Sequence, residues 1–293
     1  NRLWEMYFGS GLSKVLDDLG ARGEWPVNAD ALDWLSAEFM DSGWDIKHIV
    51  RLMVTSATYR QSSHATPGLN AIDPFDRLYA RQSTYRLAAE EVRDSALRIA
   101  GLLSAKVGGR TVFPYQPDGY YADCNTFSEP AAWFTSAGED QYRRGLYTFW
   151  KRSFLHPSML AFDAPTREEC TAERVISNTP LQALALLNDP SYVEASRVFA
   201  ERILKEGGAD AESRIQFAFR RALSRNASPD EIAVLTALCQ KHYDEFSKEP
   251  ETAKQAISVG QAPVPAEVNV AELAAWTSVA RTILNLHETI TRT

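Results

Sequence analysis

The sequence predicts a mainly α fold, a multi-helix globular bundle carrying a small β-hairpin and one long irregular loop, and three observations carry that expectation. Apolar residues recur at helical spacing in most segments. Several of those segments open on a capping side chain followed by proline, the usual punctuation of a helix start. The composition, 45% hydrophobic and 24% charged over 293 residues, is that of a chain able to bury a core without staples. That length fits one large domain or two small ones; the expected organisation is a single helical domain over 1–293, with an irregular excursion at 104–140 and a connector at 250–270 before the last helix.

Taken in order, Leu32, Leu35 and Phe39 form a short apolar stripe after Asn28, and Gly43 separates it from a second stripe at Ile46, Ile49, Val50, Met53 and Ala57 that Asp45 can cap. The pair reads as a helical hairpin. From Thr84 to about Leu103, Ala88, Val92, Ala96, Ile99 and Leu103 mark one buried face, and the opposite face pairs Arg86 with Glu90 and Asp94 with Arg98 at i+4. Within and after the excursion, Thr111–Tyr115 and Gly145–Trp150 are rich in β-branched and aromatic residues and predict the paired strands of the hairpin. Thr179-Pro180-Leu181-Gln182 predicts a capped helix start, Asp189-Pro190 a second running toward Gly207-Gly208, and Ser228-Pro229-Asp230-Glu231 a third with a capping box. Prolines and Gly260 interrupt 250–270, after which Leu273, Trp276, Ala280, Ile283, Leu284 and His287 line a closing helix.

Several function classes are excluded or disfavoured. Thirty-one basic against 38 acidic side chains give a net charge of -7, which repels phosphate backbones, and no basic patch is evident, so no nucleic-acid partner is expected. Apolar runs such as Leu181–Leu187 fall far short of a membrane span. Asn1–Phe8 lacks the basic and apolar regions of an export signal, and the chain reads as starting in mid-motif, as a fragment would. Cys124, Cys170 and Cys239 are too far apart for a zinc knuckle or haem attachment and leave either one disulfide and one thiol or three free thiols. The five histidines form no His-x-x-x-His pair, and phosphate-loop, dinucleotide and nucleophile-elbow motifs are missing.

Chemistry-bearing residues concentrate in two places. Between Lys151 and Arg174, His156, Asp163 and Glu168 are candidate general acids, bases or nucleophile partners, and Arg152, Arg167 and Arg174 suit bidentate recognition of an anionic group. In the excursion, Tyr120, Tyr121 and Trp133 offer faces for a sugar ring, while Asp118, Asp123 and Asn125 supply oxygens for calcium without matching a defined calcium loop. The same residue types also serve caps, turns and buried networks, which is the competing use of every one of them.

The segments Asn1-Arg2-Leu3-Trp4, Leu32-Asp33-Trp34-Leu35, Ser56-Ala57-Thr58-Tyr59-Arg60-Gln61, Arg86-Leu87-Ala88-Ala89-Glu90, Phe162-Asp163-Ala164-Pro165 with Arg167 and Cys170-Thr171, and Asn178-Thr179-Pro180-Leu181-Gln182 through Asn188-Asp189-Pro190 resemble planctomycete-specific domain one. One departure is Asn28-Ala29-Asp30, where relatives commonly carry His-Pro. The resemblance implies an exported protein, periplasmic, cell-surface or extracellular, in which this domain lies behind a second planctomycete-specific domain and a cytochrome c module. It further implies that haem c sits in a neighbouring domain, with no cofactor in this chain, and that upstream domains of the same polypeptide are partners. The expected role is an accessory or binding module, linked to polysaccharide use. Its rivals are an enzyme on extracellular carbohydrate, hydrolytic or haem-coupled oxidative, whose site is shared with upstream domains, and a purely structural docking module.

Overall fold

Side-chain caps and N1 prolines set most helix starts in the computed structural model, which describes residues 1–18, 20–117, 119–120, 133–151 and 154–292. In chain order the described elements are α1 Arg2–Phe8, α2 Ala29–Asp41, α3 Ile46–Thr55, α4 Pro67–Ile72, β1 Tyr85–Arg86, α5 Ala89–Ala100, α6 Pro157–Ala161, α7 Pro180–Asn188, α8 Pro190–Glu206, α9 Ala211–Leu223, α10 Pro229–Lys248, α11 Pro250–Ile257, α12 Val270–Leu284 and β2 Thr291–Arg292. The mainly α expectation holds: the only sheet among the described residues is the antiparallel pair β1–β2.

The caps expected at Asp45, Asp189 and Ser228 form, and Asn28 adds another. Asn28 accepts from the Ala31 N–H, Asp45 from the Lys47 and His48 N–H groups, and Asp189 from the Ser191 N–H. Ser228 and Glu231 close a reciprocal capping box on α10. Gly101, at φ 88°, ends α5 in the left-handed conformation, which L side chains adopt only at a steric cost.

Four expectations are corrected. The helix expected from Thr84 starts at Ala89, because Tyr85 and Arg86 are extended and paired with Arg292 and Thr291; Arg86 and Glu90 therefore do not share a helix face. Gln182 does not return a bond to Thr179 but donates to the Ser177 carbonyl and hydroxyl, and Thr179 makes no side-chain cap. The hairpin is replaced by a single parallel bridge, Val112 to Thr148; Gly145–Tyr147 is a 3-10 turn, held against α5 by the Gly145 N–H donating to Asp94 Oδ1 at 2.7 Å. The connector begins as a helix, α11, which Pro250 starts and the buried Ala253 and Ile257 hold down.

The chain folds as two compact units: Asn1–Arg86 with Cys170–Arg174 and Thr291–Thr293, and Leu87–Glu169 with Val175–Ile290. The apolar stripes close into two clusters accordingly. In the first unit Phe8, Leu12, Ile49, Met53 and Tyr79 are buried, with Trp4 stacked on Phe8 at 3.9 Å between ring centroids. In the second, α8 and α12 supply the centre, where Phe199, Ile203, Leu273, Val279 and Ile283 are fully buried.

Candidate functional site

The two stretches richest in chemistry meet within the larger unit. The Val112–Thr148 bridge brings the start of the excursion beside 147–149, and aromatic packing extends the contact: Phe113 lies 5.0 Å from Phe149 and 5.1 Å from Trp133, whose indole N–H donates to the Pro114 carbonyl at 2.8 Å. Tyr120 packs on Phe154 at 4.6 Å and reaches the Leu155 carbonyl. His156 sits at the centre, 1% exposed, with its ring 5.6 Å from Trp133.

Its partners decide what His156 can do. Nε2 lies 2.7 Å from the Tyr115 carbonyl oxygen, which can only accept, so the proton is on Nε2; Nδ1 then accepts from the Ser158 hydroxyl at 3.0 Å. Burial pushes the imidazole down to about 4, which keeps it neutral at physiological pH. Both nitrogens thus serve the chain itself.

The other nominated residues are placed individually. Asp163, in the left-handed region at φ 59°, accepts from the Ser177 N–H at 2.9 Å and from its hydroxyl, closing the loop between α6 and α7. Arg167 lays its guanidinium 3.8 Å over the Trp150 ring. Glu168 is exposed, its N–H donating to the Thr166 hydroxyl. Lys151 is buried. Arg174 is exposed and belongs with Cys170 to the smaller unit, whereas Arg167 belongs to the larger. Asp118, Tyr121, Asp123, Cys124, Asn125 and Arg152 lie outside the described residues. Cys170 and Cys239 are free thiols, and burial raises the Cys239 thiol to about 11, away from nucleophile duty. Among the described residues no group of three or more His, Cys, Asp or Glu side chains is arranged to hold a metal.

A feature that motif reading misses lies in the smaller unit. Trp25, Trp34 and Trp44 are 81%, 57% and 65% exposed. The remaining tryptophans are covered: Trp4 by Phe8, Trp133 by Phe113, Trp150 by Arg167, and Trp276 by the main core. Trp34 falls off the Leu32, Leu35, Phe39 stripe of α2, and that was the available signal. Trp44 follows Gly43 in a second left-handed position, φ 64°, where its N–H donates to the Phe39 carbonyl and its ring meets Phe39 edge-on at 5.2 Å. A bulky residue held there is strained by about 1 kcal/mol or more. Exposed carboxylates at Asp30, Asp33 and Asp41 stand on the same helix as Trp34 or at its end.

A family model described as PSD1, protein of unknown function (DUF1553), matches residues 1–239 of the chain. No curated protein and no solved structure matches it.

Proposed function

The chain belongs to the PSD1 family of proteins of unknown function, and from that premise we propose that it is a non-catalytic binding module that takes up polysaccharide through the tryptophan-bearing surface of its smaller unit. The observation that carries the reading is the exposure of Trp25, Trp34 and Trp44 in a chain that covers its other tryptophans. An indole face offers about the area and flatness of a sugar ring's C–H face, and its burial is favourable without fixing a long flexible side chain. Nearby carboxylates accept hydroxyl hydrogens and, with the net charge of -7, disfavour polyphosphate ligands.

The enzymatic reading has less support, because His156 and Asp163 are engaged by partners in their own chain and Glu168 lies on an open surface. In the same proposal the module works beside upstream domains of an exported multidomain protein, one of them bearing haem c; the support is the sequence resemblance. Affinity electrophoresis against neutral and acidic polysaccharides tests the binding role. The expected result is retardation by at least one polymer that is lost in the Trp25→Ala, Trp34→Ala, Trp44→Ala triple variant. Equal mobility in every gel, or retardation indifferent to the three tryptophans, overturns it.

A further inference from the structure

The smaller unit holds a second feature that its own packing does not explain. The segment 73–79 is tied down from inside: Asp73, 6% exposed, accepts from the Arg77 N–H at 2.9 Å and the Leu78 N–H at 2.6 Å, and the buried Tyr79 hydroxyl donates to the Gly11 carbonyl at 2.8 Å. This bracing holds two residues with side chains in the left-handed region, Asp76 at φ 52° and Tyr79 at φ 53°. Each such residue strains the backbone by about 1 kcal/mol or more, and an observed outlier of this kind is a reason to look for a role.

Asp76 gives that role a chemistry. It is 5% exposed, and one carboxylate oxygen, Oδ2, accepts from the Ser83 hydroxyl at 2.9 Å. The other, Oδ1, is buried without a hydrogen-bond donor. Arg81 Nη1 comes only to 3.9 Å of it, because the guanidinium is held by the Asp73 and Pro74 carbonyls at 3.0 and 3.1 Å. The Arg81 charge balances the carboxylate but makes no hydrogen bond to Oδ1, which leaves that oxygen's acceptor capacity unused. Asp76 is among the residues that line an open cavity of about 270 Å³, together with Ser10, Thr84 and Tyr85. Phe75, 84% exposed, lines the same cavity. Gly9, at φ 76°, is also in the lining; a Cβ there would lie 2.8 Å from Tyr85 Cδ1, so there is no room for a larger residue at this point.

We infer that this cavity is a subsite for a single hydroxyl-rich ring, a sugar unit, in which a ligand hydroxyl donates to the Asp76 carboxylate, the Ser10 and Thr84 hydroxyls contact its neighbours, and Phe75 covers an apolar ring face. The volume lies at the small end of ligand sites and suits one ring rather than an oligomer. Hydroxyls are the matching chemistry because they supply the donor Asp76 lacks while accepting from serine and threonine. A simple cation is a poor fit beside the Arg81 guanidinium, and an anion a poor fit beside the Asp76 carboxylate. The inference deepens the saccharide reading of this unit and rests on it for the ligand class.

Saturation-transfer NMR on the full chain with glucose, galactose, mannose, xylose and N-acetylglucosamine, each up to about 50 mM, reads binding at the weak affinities one ring supports. At least one of them is expected to saturate, with contact mapped to the sugar ring. Asp76→Asn keeps the shape and suits a left-handed position, so it is expected to melt within about 2 °C of wild type or higher, while losing about tenfold or more in affinity. Thr84→Val, at an exposed position, is expected to weaken binding severalfold with no change in melting. No saturation by any of the five sugars, or Asp76→Asn binding as wild type does, overturns the inference; so does an Asp76→Asn melting point lowered by more than about 5 °C, which makes the side chain structural. Polysaccharide binding that needs the three tryptophans but is unchanged in Asp76→Asn sinks this subsite alone, whereas loss of the tryptophan dependence sinks the broader reading.

Discussion

The two units differ in where they keep their tryptophans. In the larger one, buried charged groups are turned inward to hold loops: Arg93 donates to the Arg143 and Gln141 carbonyls at 2.6 and 2.7 Å, Arg143 to the Arg110 and Gly108 carbonyls, and Arg197 to the Ala262 carbonyl at 2.7 Å. These guanidiniums act as clamps for irregular backbone, and the helices around them bury a long run of aliphatic residues. The smaller unit buries five residues in its own cluster and exposes Trp25, Trp34 and Trp44, whereas Trp133 and Trp150 of the larger unit are half-buried and Trp276 is buried. On the proposed function, the exposed indoles make the smaller unit the binding one and the larger its scaffold.

If the larger unit is scaffold, substitutions at its clamps should have the largest effects on folding. The strongest case is the strap at 260–262. Glu194, 1% exposed, accepts from the Tyr142 hydroxyl at 2.8 Å and the Ala262 N–H at 2.6 Å, while the Gln261 N–H donates to the Tyr115 hydroxyl and its side chain reaches the Ser136 carbonyl. Gly260 crosses over this carboxylate at φ 97°, and any Cβ there would overlap the Glu194 carboxyl. Gly260→Ala combines a disfavoured φ with overpacking of a buried charged group and should destabilise the chain by about 4 kcal/mol in urea unfolding. A loss below about 1 kcal/mol would mean the strap yields easily and would weaken the contrast between the units.

A somewhat smaller effect should appear as pH dependence. His156 is neutral in the fold, with its imidazole lowered to about 4, and an unfolded histidine titrates near 6.5. Between those values the unfolded chain binds a proton that the folded chain does not, so unfolding becomes easier as pH falls from about 6.5 to about 4 and this contribution levels off below. The full window corresponds to about 3 kcal/mol. Urea unfolding of wild type and His156→Gln across that range checks it: the wild-type slope should be shallower in the variant by close to one proton. Parallel pH profiles would show that His156 is accessible to protons in the fold, and would return it to the list of acid–base candidates.

These cases also show how far sequence can be read. Helix starts were legible because a cap and its N–H partners lie within three residues, as at Asp45, Asp189 and Ser228. The hairpin was not, because Val112 and Thr148 are joined through a parallel bridge whose geometry depends on Gly145 being held to Asp94 on α5. Division into two units was equally hidden, since apolar periodicity says that a face is buried and not against which cluster. Site reading went to the residues of greatest intrinsic reactivity, His156, Asp163 and Glu168, whose partners are decided by long-range contacts such as Tyr115 to His156 and Ser177 to Asp163. Trp25, Trp34 and Trp44 passed as ordinary aromatics because exposure is a property of the fold; only the off-stripe position of Trp34 hinted at it.

The smallest expected effect on stability is at Trp25, and it separates the units most cleanly. Deleting a buried aromatic side chain ordinarily destabilises a protein by about 3–5 kcal/mol, through lost burial and the cavity left behind. Trp25 is 81% exposed, so the fold already leaves most of its surface in water, and Trp25→Ala should change unfolding free energy by no more than about 0.5 kcal/mol. The same substitution should reduce retardation in the polysaccharide gels, because the indole lost from the surface is one the ligand would have covered. Stability and binding therefore respond independently at this position. A destabilisation of about 2 kcal/mol or more would instead show that the indole is covered within the folded protein in solution, which would remove one of the three faces on which the binding role rests.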